Sequence, residues 1–210
     1  MSGMSNQVTL IIGTKRYSSW SLRPWLAAKQ AGFAVAEEVI ELRQPDTKAN
    51  ILKWSPSGKV PCLIHDGLVV WDSLAICEYL AERVPSLWPS DPSARAVARS
   101  VAAEMHSGFQ ALRSQCSMDV CLDQPMTEIG PELAAEVERI DTLWEACRTK
   151  YGDGGPFLFG AFTIADAMFA PVVSRFVTYH LPAGPDSRAY IRAVMDLPAM
   201  KQWIAEAGQG

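Results

Sequence analysis

The stretch "VTLIIGTKRYSSWSLRPW", residues 8–25, passes from an apolar run, through a turn crowded with hydroxyls, into a segment that opens on a proline. "VTLIIG" reads as a buried strand, β-branched and closed by glycine. "SLRPWLAAKQAGF", residues 21–33, reads as a helix, with Trp25, Leu26 and Lys29 at helical offsets and Gly32 at its end. Proline has no N–H, so it is cheap in a helix only among the first positions, whose N–H groups lack partners anyway. Pro24 therefore places the helix cap between Ser21 and Arg23, with Ser21 the best cap residue, and leaves Ser18 and Ser19 in the turn just ahead. "VAEEVIEL", residues 35–42, reads as a second strand. A β-α-β start requires a parallel pair joined by a crossover, so this half of the chain is α/β.

Working outward, "KVPCLIHDGLVVWDS" (59–73) holds two strands around Asp66-Gly67, a strong hairpin signal. "SLAICEYLAERV" (73–84) then reads as a helix from a serine cap, giving the order β-α-β-irregular-β-β-α. "PSLWPSDPSA" (85–94) carries three prolines and reads as a linker. Beyond it the period changes. "ARAVARSVAAEMHSGFQALRSQC" (94–116) sets Val97, Val101, Met105 and Phe109 on one helical stripe, and "PELAAEVERIDTLWEACRTKY" (131–151) turns Leu133, Val137, Ile140, Leu143 and Trp144 inward. "TIADAMFAPVVSRFVTY" (163–179) is apolar nearly all round, as a helix central to a bundle would be, and "PAMKQWIAEA" (198–207) makes a short last one. The second half is all-α.

Of the 210 residues, 49% are apolar and 20% charged, which fits a chain with a real core, and the net charge of -4 excludes a binder driven by the nucleic-acid backbone. No apolar segment nears the roughly 18 residues that span a bilayer, and "MSGMSNQ" lacks the layout of a secretory signal. Five cysteines without a C-x-x-C pair fit a reduced compartment, so a cytoplasmic location is expected. With three histidines in the chain, a metal centre is not expected.

Four motifs carry chemistry. At Ser18 and Ser19 the N–H groups of a helix start converge, with roughly half a positive charge from the macrodipole. Such a place favours an anion, and a thiolate is one; a helix start and a hydroxyl donor can bring a thiol from about 8.5 to roughly 7. No cysteine lies in the turn, so the thiol would come from a ligand. In "KVPCL" (59–63), a cis Val60-Pro61 bond would turn the main chain of Val60 out of the ladder, free to pair with an extended ligand; an ordinary edge proline is the plainer alternative. In "VVWDSLAI" (69–76), Ser73 is the cap and Asp72 stands beside it, an arrangement able to hold an amino-acid head group or simply to cap a helix. "TIAD" (163–166) is a capping box and serves folding.

In order and spacing these motifs resemble the glutathione S-transferases, over residues 7–206, and "SSWSLR" most resembles the "SSCSWR" stretch of the zeta class. The resemblance implies a thioredoxin-like α/β N-terminal domain (7–82), a linker (83–92) and an all-α C-terminal domain (93–210), commonly as a cytoplasmic homodimer acting in detoxification. It implies glutathione as co-substrate, no metal and a small electrophilic partner. By position, Ser18 would be the thiolate-stabilising hydroxyl with Ser19 its neighbour. Val60, before a cis Pro61, would pair with the cysteinyl part, Lys59 would lie near the glycyl end, and Asp72 and Ser73 would hold the γ-glutamyl group. Trp20, where the zeta stretch has cysteine, belongs to the glutathione site and, with His106 and Arg113 seven apart on one expected helix, to the electrophile site. Asp72 is one methylene shorter than the glutamate or glutamine common in the family. The alternatives are a glutathione-dependent isomerase of the maleylacetoacetate type and a non-catalytic protein of the same fold.

Overall fold

The computed structural model describes residues 6–209; residues 1–5, on which the reading of the N-terminus rests, lie outside them, as does Gly210. β1 (Gln7–Gly13) and β2 (Ala34–Ile40) run parallel, in register from Gln7 opposite Ala34 to Gly13 opposite Ile40, and α1 (Ser19–Gln30) is the crossover between them. β3 (Cys62–His65) lies antiparallel on the other side of β1, and β4 (Leu68–Val70) returns beside β3, so the sheet order is β2-β1-β3-β4. Asp66 and Gly67 both have positive φ, 49° and 80°, the conformation a two-residue hairpin of matching twist demands. As an inner strand, β1 buries both faces. Leu10 and Ile12 enter the large core under the helices, while Ile11 meets Ile40, Ile51 and Cys62 on the far side.

Three local expectations are corrected. α1 begins at Ser19 with Ser18 as its cap residue, not Ser21, and Pro24 sits inside the helix. Leu22 N–H donates to the Ser18 carbonyl at 3.1 Å and closes the first turn, so the helix accepts the loss of one bond at Pro24. The stretch expected to be irregular contains α2 (Thr47–Leu52), too short to show a period, with only Ile51 buried. α3 (Ser73–Ala81) is capped by Asp72 rather than Ser73: Asp72 Oδ1 accepts from the N–H groups of Leu74 and Ala75 at 3.1 and 3.3 Å.

The proline-rich connection packs rather than links. Pro85–Leu87 forms a 3-10 turn, Leu87 and Trp88 are buried, and Trp88 Nε1 donates to Glu78 Oε2 at 3.1 Å. The rest is helical: α4 (Pro92–Ser107), α5 (Gln110–Gln115), α6 (Pro131–Tyr151), α7 (Ile164–Tyr179), α8 (Pro185–Met195) and α9 (Pro198–Ala207). The single helix expected over 94–116 breaks at Phe109, whose φ is 61°, so His106 and Arg113 belong to different helices. Arg113 reaches back to the carbonyls of Met105, His106 and Gly108, capping the end of α4. α8 carries Ser187, Tyr190 and Val194 inward, a stripe the sequence reading passed over. α7 is buried almost throughout, against α1, α4 and α8, and opens on the expected capping box of Thr163 and Asp166. Among the described residues no helix is long and apolar enough to cross a membrane.

Candidate active site

A cleft of about 490 Å³ opens where three segments converge: Trp20 from α1, the Ser57–Pro61 turn, and Trp71–Ser73 ahead of α3. The Val60-Pro61 bond is cis, as is Trp71-Asp72. The β1–β3 ladder starts at Cys62, so Val60 stands outside it on the cleft wall. Lys59 is exposed beside it. Ser73 is fully buried, and among the described residues its hydroxyl has no hydrogen-bond partner, although the residue lines the cleft. A buried hydroxyl left so costs about 1–3 kcal/mol unless something pairs with it. Asp72 Oδ2 lies 2.9 Å from His106 Nε2, which ties the start of α3 to α4 of the helical half.

The α1 end of the cleft differs from the expectation. Ser18 and Ser19 are buried, and the cleft wall here is Trp20. Ser18 Oγ donates to Ser21 Oγ at 2.7 Å, and Ser21 Oγ also accepts from Gly13 N–H at 3.1 Å, fastening the end of β1 to the helix. The N–H groups of Ser18 and Ser19 donate to the Thr14 and Tyr17 carbonyls, both at 3.0 Å. The next two N–H groups, of Trp20 and Ser21, have no backbone partner among the described residues and are the donors of the helix start.

Around the ring of Trp20 stand two guanidiniums and an imidazole. The Arg23 guanidinium lies 4.3 Å from its ring centroid, that of Arg113 5.0 Å, and the His106 ring meets it edge-on at 5.4 Å. His106 and Arg113 thus gather at Trp20, as the sequence reading paired them, but from two helices and without lining the cleft themselves. Arg23 was not singled out from sequence. It is fully buried, and none of its three nitrogens has a partner among the described residues. Burial, with Arg113 and Arg175 adding to it, lowers its guanidinium to about 9, so it stays charged at neutral pH. Its signal in sequence was spacing: Arg23 falls three and four residues after Trp20 and Ser19, on the same helical face. Ser57 and Trp71 were also missed, although Trp71 lies within the stretch "VVWDSLAI" and Ser57 stands two residues before "KVPCL".

The thiols of Cys62 and Cys77 are pushed up by burial, which keeps both protonated and inert. Among the described residues no three His, Cys, Asp or Glu side chains gather as metal ligands would. A second cleft of about 480 Å³ lies between β2 and α9, but its Lys15 already bridges Glu37, at 2.5 Å, and Glu206. Of these two clefts, the one at Trp20 has a buried lining hydroxyl without a partner among the described residues.

Two family models match the chain, described as the N-terminal domain of glutathione S-transferase over residues 17–83 and its C-terminal domain over 130–206. A protein of Caenorhabditis elegans named "Probable maleylacetoacetate isomerase" is 30% identical over 190 residues, covering 87% of this chain and 85% of that one. The maleylacetoacetate isomerase of Rattus norvegicus is 26% identical over 171 residues, covering 80% and 77%. Among solved structures, a Burkholderia glutathione transferase homolog with bound glutathione superposes with a TM-score of 0.72 at 24% identity, covering 97% of this chain and 100% of that chain. A theta-class glutathione S-transferase of Xanthomonas axonopodis pv. citri, also with glutathione bound, gives 0.66 at 22% identity, covering 94% and 96%.

Proposed function

The chain belongs to the glutathione S-transferase family, and on that premise we propose that it is a glutathione-dependent enzyme whose cleft at Trp20 binds the tripeptide and ionises its thiol. The observation that carries the reading is the convergence, in one cleft, of two helix starts, the Val60 main chain before cis Pro61, and a buried Ser73 hydroxyl without a partner. Glutathione fits these groups end to end. Its γ-glutamyl group goes to Asp72 and Ser73, the cysteinyl main chain to Val60, the glycyl carboxylate toward Lys59, and the sulfur to the start of α1. The bound glutathione of the Burkholderia homolog supports the same use of the fold.

At the start of α1 the thiol loses its proton to solvent and the remaining anion is stabilised by the helix donors and a serine hydroxyl. The sulfur then attacks an electrophilic carbon; a C–S bond forms, and the leaving group departs with its electron pair. The hydroxyl donates a hydrogen bond and keeps its proton, since serine ionises far above neutrality. Ser19 is the nearer candidate donor, because Ser18 must first release Ser21. A second reading is favoured by the names of two relatives, both maleylacetoacetate isomerases. There the thiolate adds to a carbon–carbon double bond, the adduct rotates, and the sulfur leaves again, so glutathione is recovered.

Calorimetry of glutathione binding, with the thiolate's ultraviolet absorbance followed against pH, tests the proposal. The bound thiol should ionise clearly below the free value of about 8.5, and Ser19→Ala or Ser18→Ala should raise it again while affinity holds. Binding with an unshifted thiol would make this a sequestering protein. A product screen with aryl halides, epoxides, peroxides and maleyl compounds separates conjugation from isomerisation.

A further inference from the structure

We propose that Arg23 is a positioning residue of this site, whose buried charge, held behind Trp20, keeps the bound sulfur ionised without touching the tripeptide. The proposal rests on the glutathione reading of the cleft.

Three guanidiniums meet where the two halves of the chain join, and two of them are compensated. Arg113 donates to the carbonyls at the end of α4, and Arg175 donates to the carbonyls of Cys116 and Pro171 at 2.8 and 2.9 Å. Arg23 is different. Its three nitrogens have no partner among the described residues. The negative group that acts on it, Asp72, is already engaged by Leu74 N–H, Ala75 N–H and His106, and the neighbouring Cys77 thiol is held neutral by burial. Among the described residues no carboxylate pairs with Arg23 directly, so its charge has no close counter-ion.

That charge adjoins the cleft at Trp20. The guanidinium lies 4.3 Å from the centroid of the indole, and the indole lines the cleft, so the buried charge stands next to a side chain that a bound molecule would meet. Arg23 also follows Ser19 by one helical turn, on the face of α1 that carries the helix start. Arg23 itself is fully buried, so salt screens its charge less than it would a surface one. In an effective dielectric of about 20, a unit charge shifts an ionisation by roughly one pH unit or more at separations up to about 12 Å, about tenfold in the thiolate fraction below its midpoint. Arginine suits the position because it holds its charge when buried, and an indole face is the surface on which a guanidinium without anions rests best. The same arrangement accounts for a tryptophan in the turn between Ser19 and Ser21. With the Ser18 hydroxyl bonded to Ser21, a charge acting at a distance supplies part of what that hydroxyl was expected to supply.

The test is to titrate the thiolate absorbance of glutathione bound to the wild type, Arg23→Gln, Arg23→Met and Arg23→Lys, and to measure S-methylglutathione, which has no ionisable sulfur. Removing the charge with either Gln or Met should raise the bound thiol by about one pH unit, Lys should keep most of the effect, and affinity for S-methylglutathione should be unchanged. An unshifted thiol in the two neutral variants overturns the proposal and leaves the glutathione reading standing. So does an equal loss of affinity for both ligands, which assigns Arg23 to the head group or the scaffold. A wild type that binds no glutathione refutes the reading and the proposal together.

Discussion

Replacing Arg23 by methionine should stabilise the folded protein at neutral pH, and the size of the gain can be worked from its surroundings. Burial, chiefly, lowers the guanidinium on folding from its ordinary value to about 9. At about 1.4 kcal/mol per unit of pKa, this corresponds to roughly 5 kcal/mol of penalty for folding with the charge in place. The stack on Trp20 is worth about 2 kcal/mol in a desolvated setting and would be lost. Methionine refills most of the volume and adapts to what remains, at a further cost of about 1 kcal/mol. The balance is a gain of about 2 kcal/mol, or about 4–8 °C in Tm for a chain of this size. The sign with pH follows from a base whose folded pKa lies below its unfolded one. Below about pH 9 both states carry the charge and the penalty is present in full; it is relieved as pH rises above about 9. The advantage of Arg23→Met should therefore be complete at pH 7 and shrink above pH 9. Calorimetric melts of both proteins at pH 7, 8 and 10 would show it. A variant that melts below the wild type at pH 7 would mean that the guanidinium is paired in solution and that the reasoning fails.

Asp72→Ala removes both a helix cap and the carboxylate assigned to the γ-glutamyl ammonium. Glutathione affinity should fall about tenfold or more by calorimetry, and stability by about 1 kcal/mol, with the bound thiol's ionisation little changed; unchanged affinity would overturn the head-group assignment. Thr163→Ala opens the capping box at α7, where the Thr163 N–H donates to Asp166 Oδ2 at 2.7 Å and its hydroxyl at 3.1 Å. It should cost about 1 kcal/mol or more in a denaturant melt and leave the titration of bound glutathione untouched; a shifted thiol would show that α7 reaches the site chemically.

The β-α-β start was legible because β1 is an inner strand: a run that buries both faces is apolar without alternation, and "VTLIIG" has that form. The hairpin was legible because only residues that tolerate positive φ can make its turn. The ends of helices were harder. Ser18 and Ser21 are equally good caps as residues, and the choice between them is made by Gly13, eight residues before Ser21, whose N–H takes the Ser21 hydroxyl. The break at Phe109 was hidden because Met105 and Phe109 are both buried, so the stripe reads on through the turn. Within the site, the residues legible in sequence were those on the cleft wall next to a proline or a cap. Arg23 was not among them, since an arginine one turn into a helix reads as solvated until packing removes the water.

The two departures from the family's pattern that the sequence shows, Trp20 and Asp72, are physically joined. The second oxygen of Asp72 is met at 2.9 Å by His106, which comes from the helical half. His106 holds that position with its ring edge-on against Trp20, and Trp20 in turn covers Arg23. A chain of contacts, Arg23 to Trp20 to His106 to Asp72, therefore runs from the start of α1 to the start of α3. A cysteine at position 20 would be too small to reach the imidazole or to cover the guanidinium, so the tryptophan and the shorter acid form one arrangement. The α1 end and the α3 end of the cleft are coupled through it, and substitutions at Trp20 and Asp72 should not add independently.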